Sequence, residues 1–364
     1  MRAKDTEDKS PIRNHLVVLI VFNLMILISI LFSMEIILRI LKIGYGSAPI
    51  IYDPLLHHKH SKNYTFYSFS STGEYGNFLV HYDDEGLTSN PFATNKKNIM
   101  NSEIRIAFMG DSYIEGMQVK YNEHVVGILE QLTKYNTVIK NYGVSSYSPI
   151  LNYLQWKYEV SKFKPTHVIL LLFSNDIEGD YEMSKKAIYS STNELIAIPG
   201  PMLVELGRKS YALRFFNKFY KIVIYNLENF NSKEILKNPG GFIEENPNIT
   251  ELSSNLILKL EKAISQSGGK LILMVVPSKY RLQGDFNKQN NTTLEFSDKW
   301  KIWARNHGIA FIDLVEAFHR EYSIKGKKLF FDKEIHFNAE GHKVLAKTIA
   351  QAFPEIFNVP ADLF

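Results

Sequence analysis

Three apolar runs of this chain each lead into a residue that can take part in acyl transfer. "IRIAFM" runs into Gly110-Asp111-Ser112, with Gly116 four positions past the serine, and "TVIKN" runs into Tyr142 and Gly143. "THVILLLF" is followed by Ser174-Asn175-Asp176. Near the C-terminus, "FFDKEIHFNAEGHKVLA" sets His336 just ahead of a helix that Asn338 can cap.

Acyl transfer needs this set of groups. A serine hydroxyl becomes a nucleophile when a neighbouring imidazole takes its proton and later returns one to the leaving group. Negative charge then grows on the carbonyl oxygen, which requires N–H donors already in place. Gly143 offers a backbone N–H with no side chain in the way, Asn175 an amide, and Ser112 its own N–H at a helix start. A carboxylate must orient the imidazole, and two candidates precede His336: Glu334 by two residues and Asp332 by four. Each piece alone has an ordinary explanation. Gly-Asp-Ser and Asn-Tyr-Gly are common turns, Asn175-Asp176 can cap a helix, and a histidine before a helix is usually a cap neighbour. Four such pieces at successive strand ends, in order, point to one site. His342, about 120° from His336 on a helical wheel, is expected to be structural.

The elements that must position these residues follow from periodicity. The short runs "IRIAFM", "TVIKN", "THVILLLF", "KLILMVV" and "IAFID" are strand-like, and between them lie stretches with apolar residues at helical spacing. Alternating strands and helices imply βαβ units, a mostly parallel sheet covered on both faces, and a doubly wound α/β domain. In such a sheet, ligands bind beyond the carboxyl ends of the strands, where the candidate residues lie. Residues 180–248 interrupt the alternation. Within them "YALRFFNKFYKIVIYNLENF" reads as a basic, aromatic helix, packed on the core, closing over the site, or lying on a membrane surface.

Residues 15–34 are almost wholly apolar and long enough to cross a bilayer. Arg2, Lys4, Lys9 and Arg13 precede them, which places the N-terminus in the cytoplasm and the bulk of the chain outside. A cleaved signal peptide is the rival reading, but Ala48, the nearest small-residue site, is followed directly by Pro49. Residues 52–92 alternate aromatic and small polar residues around Gly73 and Gly76, as short strands or a hairpin do. The stretch "HHKH" at 57–60 reads as a packed or solvated loop rather than a metal site. The 364-residue chain is 45% hydrophobic and carries a net charge of +4, too little to argue for nucleic-acid binding. With no cysteine it has no disulfide, thiolate nucleophile or Cys-ligated zinc, and no cofactor or metal is expected.

The blocks "GDSYIEG", "NYGV", "FSND" and "IHFNAEGH" resemble those of the SGNH/GDSL hydrolase superfamily, over residues 104–180 and 248–353. The resemblance implies a flavodoxin-like three-layer α/β/α fold with a mostly parallel five-stranded sheet, here with an N-terminal transmembrane helix. It implies Ser112 as nucleophile, His336 as base and then acid, and Ser112, Gly143 and Asn175 as the oxyanion hole. The family usually has an aspartate three residues before the histidine, where this chain has Lys333. Some membrane-anchored relatives resemble an acid-x-His pattern instead, which favours Glu334, while Asp332 keeps the usual residue type. The expected organisation is a cytoplasmic N-terminus at 1–14, an anchor at 15–42, a juxtamembrane β-rich segment at 43–100, and a catalytic domain at 101–364 with the insertion at 180–248. The expected activity is that of a serine esterase or O-acyltransferase acting on acylated cell-surface carbohydrate or another ester. The lipid bilayer, through the N-terminal helix, and envelope polysaccharide machinery are the expected partners. The alternatives are a non-catalytic scaffold or glycan-binding protein, and a lipid-directed esterase.

Overall fold

Successive residues of "IRIAFM" face opposite sides of a sheet, and both sides are filled. A computed structural model describes residues 10–41, 50–70, 72–92, 102–134, 136–201, 210–231, 251–277, 279, 282 and 296–359. Its strands are β1 (Ile50–Asp53), β2 (His57–His60), β3 (Tyr64–Phe69), β4 (Gly76–Tyr82), β5 (Thr88–Ser89), β6 (Ile104–Met109), β7 (Thr137–Asn141), β8 (His167–Leu172), β9 (Ile188–Tyr189), β10 (Leu195–Ala197), β11 (Lys270–Val275) and β12 (Ala310–Ile312). Ile106 and Phe108 of β6 pack with Ile169, Leu171, Ile272 and Met274 against the helices Val125–Leu132, Leu314–His319 and Ala339–Ala352. Ala107 and Met109 face the other layer, with Trp156, Ile257, Leu260 and Trp300 from helices Pro149–Tyr158, Glu251–Gln266 and Phe296–Asn306. Burial on both faces is why these strands read as continuous apolar runs.

The main sheet has the order β12-β11-β8-β6-β7-β5-β4-β3. The five strands from β12 to β7 pair in parallel, in the flavodoxin-like arrangement the sequence led us to expect. The chain order reverses at β6, which has β7 on one side and β8 on the other, and such a switch point opens a crevice at the carboxyl ends. The sheet is wider than the expected five strands. β5 pairs antiparallel with β7 through Thr88 and Asn141, β4 with β5, and β3 with β4. The β-rich segment ahead of the catalytic blocks is therefore continuous with the catalytic sheet. "HHKH" is strand β2, paired with β1, and not the loop expected.

The helix α1 (Ser10–Ile40) contains the candidate membrane span His15–Ile40. Near its end, Glu35 meets the helix Tyr211–Asn231 of the insertion: Ser210 Oγ and the N–H groups of Tyr211 and Ala212 all donate to its carboxylate, at 2.8, 3.0 and 2.7 Å. Arg39 pairs with Glu35 at 2.6 Å and lies over the Tyr211 ring. An acidic side chain at a helix N-terminus satisfies donors that have no partner within the helix. Residues 1–9 of the expected cytoplasmic segment, Ala48, and residues 202–209 and 232–248 of the insertion lie outside the described residues.

Candidate active site

The strand β6 must stop abruptly for its serine to emerge at the sheet edge. Gly110 has φ +148°, and a Cβ there would stand 2.8 Å from the Leu171 carbonyl oxygen, so only glycine makes the exit. Asp111 caps the four-residue helix Ser112–Glu115 by accepting from the Tyr113 N–H at 2.9 Å. Burial raises the Asp111 carboxyl to about 6. Burial and the nearby Asp111 push Asp176 well above the usual carboxylate range, while its Oδ2 accepts from the Phe173 N–H at 3.0 Å and holds the loop after β8.

His336 reaches Ser112 from the far end of the chain. Its Nε2 is 2.8 Å from Ser112 Oγ, and its Nδ1 is 3.5 Å from Glu334 Oε2. Both side chains of that second pair are about one-fifth exposed, at 18% and 19%, and Nδ1 itself is buried. The two sit on a tight turn closed by the Phe331 N–H donating to the His336 carbonyl at 3.1 Å, with Phe330 and Phe337 bridged beside it. The hydroxyl of Tyr113 donates to the Ile335 carbonyl at 2.5 Å, tying the serine helix to this turn. Asn338 caps the following helix through the Gly341 N–H, as the sequence implied. Burial alone would raise the Glu334 carboxyl, but the nearby His336 imidazole and hydrogen bonds from Ser70 and Tyr75 outweigh it and hold the group below its ordinary range. Asp332, the other candidate acid, is turned elsewhere: it is exposed and pairs with Lys328 at 2.8 Å. The one extra residue of loop directs its side chain to solvent.

The three expected oxyanion donors come from converging loops. Val144 donates to the Gly110 carbonyl at 3.2 Å, so the loops after β7 and β6 lie side by side. Gly143 presses on the serine helix so closely that a Cβ would be 2.4 Å from the Glu115 nitrogen. Its N–H donates to Asn141 Oδ1 at 2.9 Å, and Asn141 Nδ2 donates to the Ile114 carbonyl at 2.7 Å. The Gly143 donor is thus engaged by a side chain in this structure. Asn175 opens the helix Asp176–Ser184 and keeps its amide oxygen buried with no hydrogen-bond partner among the described residues. Ser112 occupies the first turn of its helix, where backbone N–H groups have no partner within the helix.

Periodicity and motif spacing did not reveal the buried cluster beneath this site. Glu115 is fully buried and accepts from the Tyr82 hydroxyl at 2.6 Å and from the Ser145 N–H at 2.8 Å, and also binds the Ser145 hydroxyl. His60 Nε2 stands 3.1 Å from Oε1, the oxygen that also accepts from Tyr82, and its ring stacks flat on the Tyr82 ring. Burial would raise this carboxyl, yet His60, Ser145 and Tyr82 together hold it at about 2. His58 Nε2 contacts the Ser145 carbonyl at 2.7 Å, and the Tyr147 hydroxyl donates to the His58 carbonyl. The histidines of "HHKH" thus brace the loop after Gly143, and among the described residues no group of three or more His, Asp or Glu is placed to hold a metal. His342 is buried against His124 and Phe337, and burial keeps its imidazole well below the usual range.

A hydroxyl in contact with an imidazole at the carboxyl edge of a doubly wound parallel sheet is an arrangement that can activate a serine for attack on an ester. The chain belongs to the GDSL-like lipase/acylhydrolase family, which residues 108–344 match, and it is an ester-hydrolysing enzyme. No curated protein matches it. Among solved structures it is similar to an α/β hydrolase enzyme from the metagenome of Lake Arreo, Spain, at 15% identity over 70% of this chain and 97% of that one, with a TM-score of 0.40. An acetylxylan esterase from Geobacillus stearothermophilus aligns at 15% identity over 70% and 95% of the two chains, with a TM-score of 0.39. A member of the lipolytic protein G-D-S-L family from Veillonella parvula aligns at 16% identity over 69% and 98%, with a TM-score of 0.36.

Proposed function

We propose that this enzyme cleaves or transfers acyl groups through an acyl-Ser112 intermediate, on acylated carbohydrate outside the cell membrane. The observation that carries the chemistry is the 2.8 Å contact between Ser112 Oγ and His336 Nε2. Oγ attacks the ester carbonyl as Nε2 takes its proton, and the oxyanion is met by N–H donors of Ser112, Gly143 and Asn175. For Gly143 to serve, its N–H must be shared with or released by Asn141. The intermediate then expels the alcohol, which receives the proton from His336. Water or a sugar hydroxyl gives a proton to His336 as it attacks the acyl-enzyme, and Ser112 regains that proton as the acyl group leaves. Glu334 fixes the ring orientation and stabilises the imidazolium.

The carbohydrate substrate is what the family resemblance implies for an enzyme with α1 as an uncleaved anchor and the catalytic domain outside. The binding of Glu35 to the insertion helix supports an anchor that stays attached. A lipid-directed esterase is the second reading, favoured by Leu213, Phe216, Phe219 and Tyr220, which are exposed on the helix adjoining α1. A preference for long-chain over acetyl esters would select it. The irregular acid spacing would favour a non-catalytic scaffold, and against it stands Glu334 with Oε2 3.5 Å from His336 Nδ1. The test of the chemistry is a fluorophosphonate probe, which should modify Ser112 and leave a Ser112→Ala variant unlabelled. That variant and His336→Ala should each lose ~10³-fold or more of kcat on an acetyl ester. A parental rate in either would end the proposal.

A further inference from the structure

The tip of the β3–β4 hairpin meets the turn that carries Glu334 and His336, although it lies outside the family match at 108–344. Ser70 Oγ donates to Glu334 Oε1 at 2.9 Å, leaving Oε2 to face His336. The two oxygens of Glu74 accept from the N–H groups of Asp332 and Lys333, at 2.6 and 2.9 Å. The Tyr75 ring packs on Phe331, with centroids 5.1 Å apart, and Ser70 N–H donates to the Tyr75 carbonyl to close the tip. On the turn's other flank, Lys279 Nζ donates to the carbonyls of Phe331, Asp332 and Glu334, at 2.6, 2.9 and 3.1 Å.

An acid two residues before its histidine needs such support. Glu334 has three side-chain torsions, sits on a turn without regular secondary structure, and must reach back to an imidazole on the same turn. Without an outside partner it would sample rotamers that do not face Nδ1. The backbone N–H groups of Asp332 and Lys333 likewise need acceptors, and a carboxylate that binds both at once fixes the path of the turn. We propose that Ser70 and Glu74 are positioning residues for the reaction. The hairpin tip sets the Glu334 rotamer and, through it, the orientation of His336. The catalytic unit on this account includes residues well upstream of the expected boundary at 101. The inference rests on the Ser112–His336–Glu334 reading.

The test uses the full-length chain in detergent micelles, with p-nitrophenyl acetate as substrate and rates expressed per Ser112 labelled at saturation, so that unfolded molecules do not count. Ser70→Ala and Glu74→Ala should each lower kcat ~10-fold with KM within twofold of the parent. Ser70→Thr, which keeps the hydroxyl, should restore most of the rate. Unchanged kcat in both alanine variants would overturn the proposal, as would a loss in Ser70→Ala that Ser70→Thr does not repair. If Ser70→Ala does not fold, Glu74→Gln replaces it: that variant keeps one acceptor oxygen and should fall between the parent and Glu74→Ala. A parental rate per mole of folded protein in Ser112→Ala, which cannot be labelled, would instead sink the underlying triad. An inactive Ser112→Ala beside fully active Ser70→Ala and Glu74→Ala would sink only the role of the hairpin.

Discussion

Glu334 and His336 face one another across a turn, with Oε2 3.5 Å from Nδ1, while Asp332 on the same turn pairs with Lys328 in solvent. The spacing that departs from the family's usual pattern still brings a carboxylate to the imidazole. Removing charge from each acid in turn should therefore give unequal results. Glu334→Gln is expected to lower kcat ~10-fold or more, because the ring loses the partner that orients it. Asp332→Asn should stay within twofold of the parent, measured as kcat and KM on an acetyl ester. Small and equal losses would indicate that the serine and histidine work as a pair.

Gly143 leaves no room for a side chain, since a Cβ would lie 2.4 Å from the Glu115 nitrogen and 2.5 Å from the Ile114 carbonyl carbon. Both are backbone atoms that cannot swing aside. Gly143→Ala should cost about 1–3 kcal/mol of stability as the loop shifts off the serine helix. It should also slow labelling of Ser112 by a fluorophosphonate. Urea denaturation followed by circular dichroism would read the first effect, and an unchanged midpoint would contradict this packing.

Glu115 links stability to pH. Its carboxyl is held at about 2, below the ordinary 4.5, by His60, Ser145 and Tyr82 despite complete burial. A depressed carboxyl contributes stability that is present above its unfolded value and lost as pH falls toward the folded one. The melting temperature should thus fall between about pH 4.5 and 2. The gap between the parent and Glu115→Gln should narrow over that window, because the amide has nothing to titrate. Asp111, raised to about 6, acts in the opposite sense, and comparison with the glutamine variant separates the two. A gap that stays constant across the window would count against the cluster.

Truncation tests where the working domain begins. A fragment starting at residue 50 keeps β1 to β5, with the contacts of Tyr82 and His60 to Glu115. It is expected to hydrolyse acetyl esters. A fragment starting at 101 exposes the edge of β7 and leaves Glu115 buried without His60 or Tyr82, so it should be inactive or insoluble. Full activity of that shorter fragment would show that the added strands are dispensable.

The five parallel strands were legible because each is a short apolar run, all but the edge strand β12 largely buried, and separated from the next by a helix. The serine was legible because it follows such a run directly, and the histidine because it stands just ahead of a helix that Asn338 can cap. The antiparallel extension was harder to read. β5 has two residues and reaches β7 through the single pair Thr88 and Asn141, which leaves no periodic trace. "HHKH" read as a loop because β2 is a short strand whose stability comes from the distant Ser145 and Glu115. The hold of Ser70 on Glu334 spans 264 positions, and nothing local to either residue announces it. Distance along the chain, rather than weak chemistry, hid these contacts.

That separation also bears on how the enzyme is made. As the chain leaves the ribosome, the hairpin emerges early, and its partner turn arrives only 264 residues later. The last helix, Ala339–Ala352, follows directly behind His336 and packs beneath it. A partly synthesised chain accordingly holds the proposed nucleophile Ser112 without its proposed base His336, and contacts of such long range form late in folding. On the proposed roles, hydrolytic capacity would arise only once the turn at 331–336 has joined the strands made long before it.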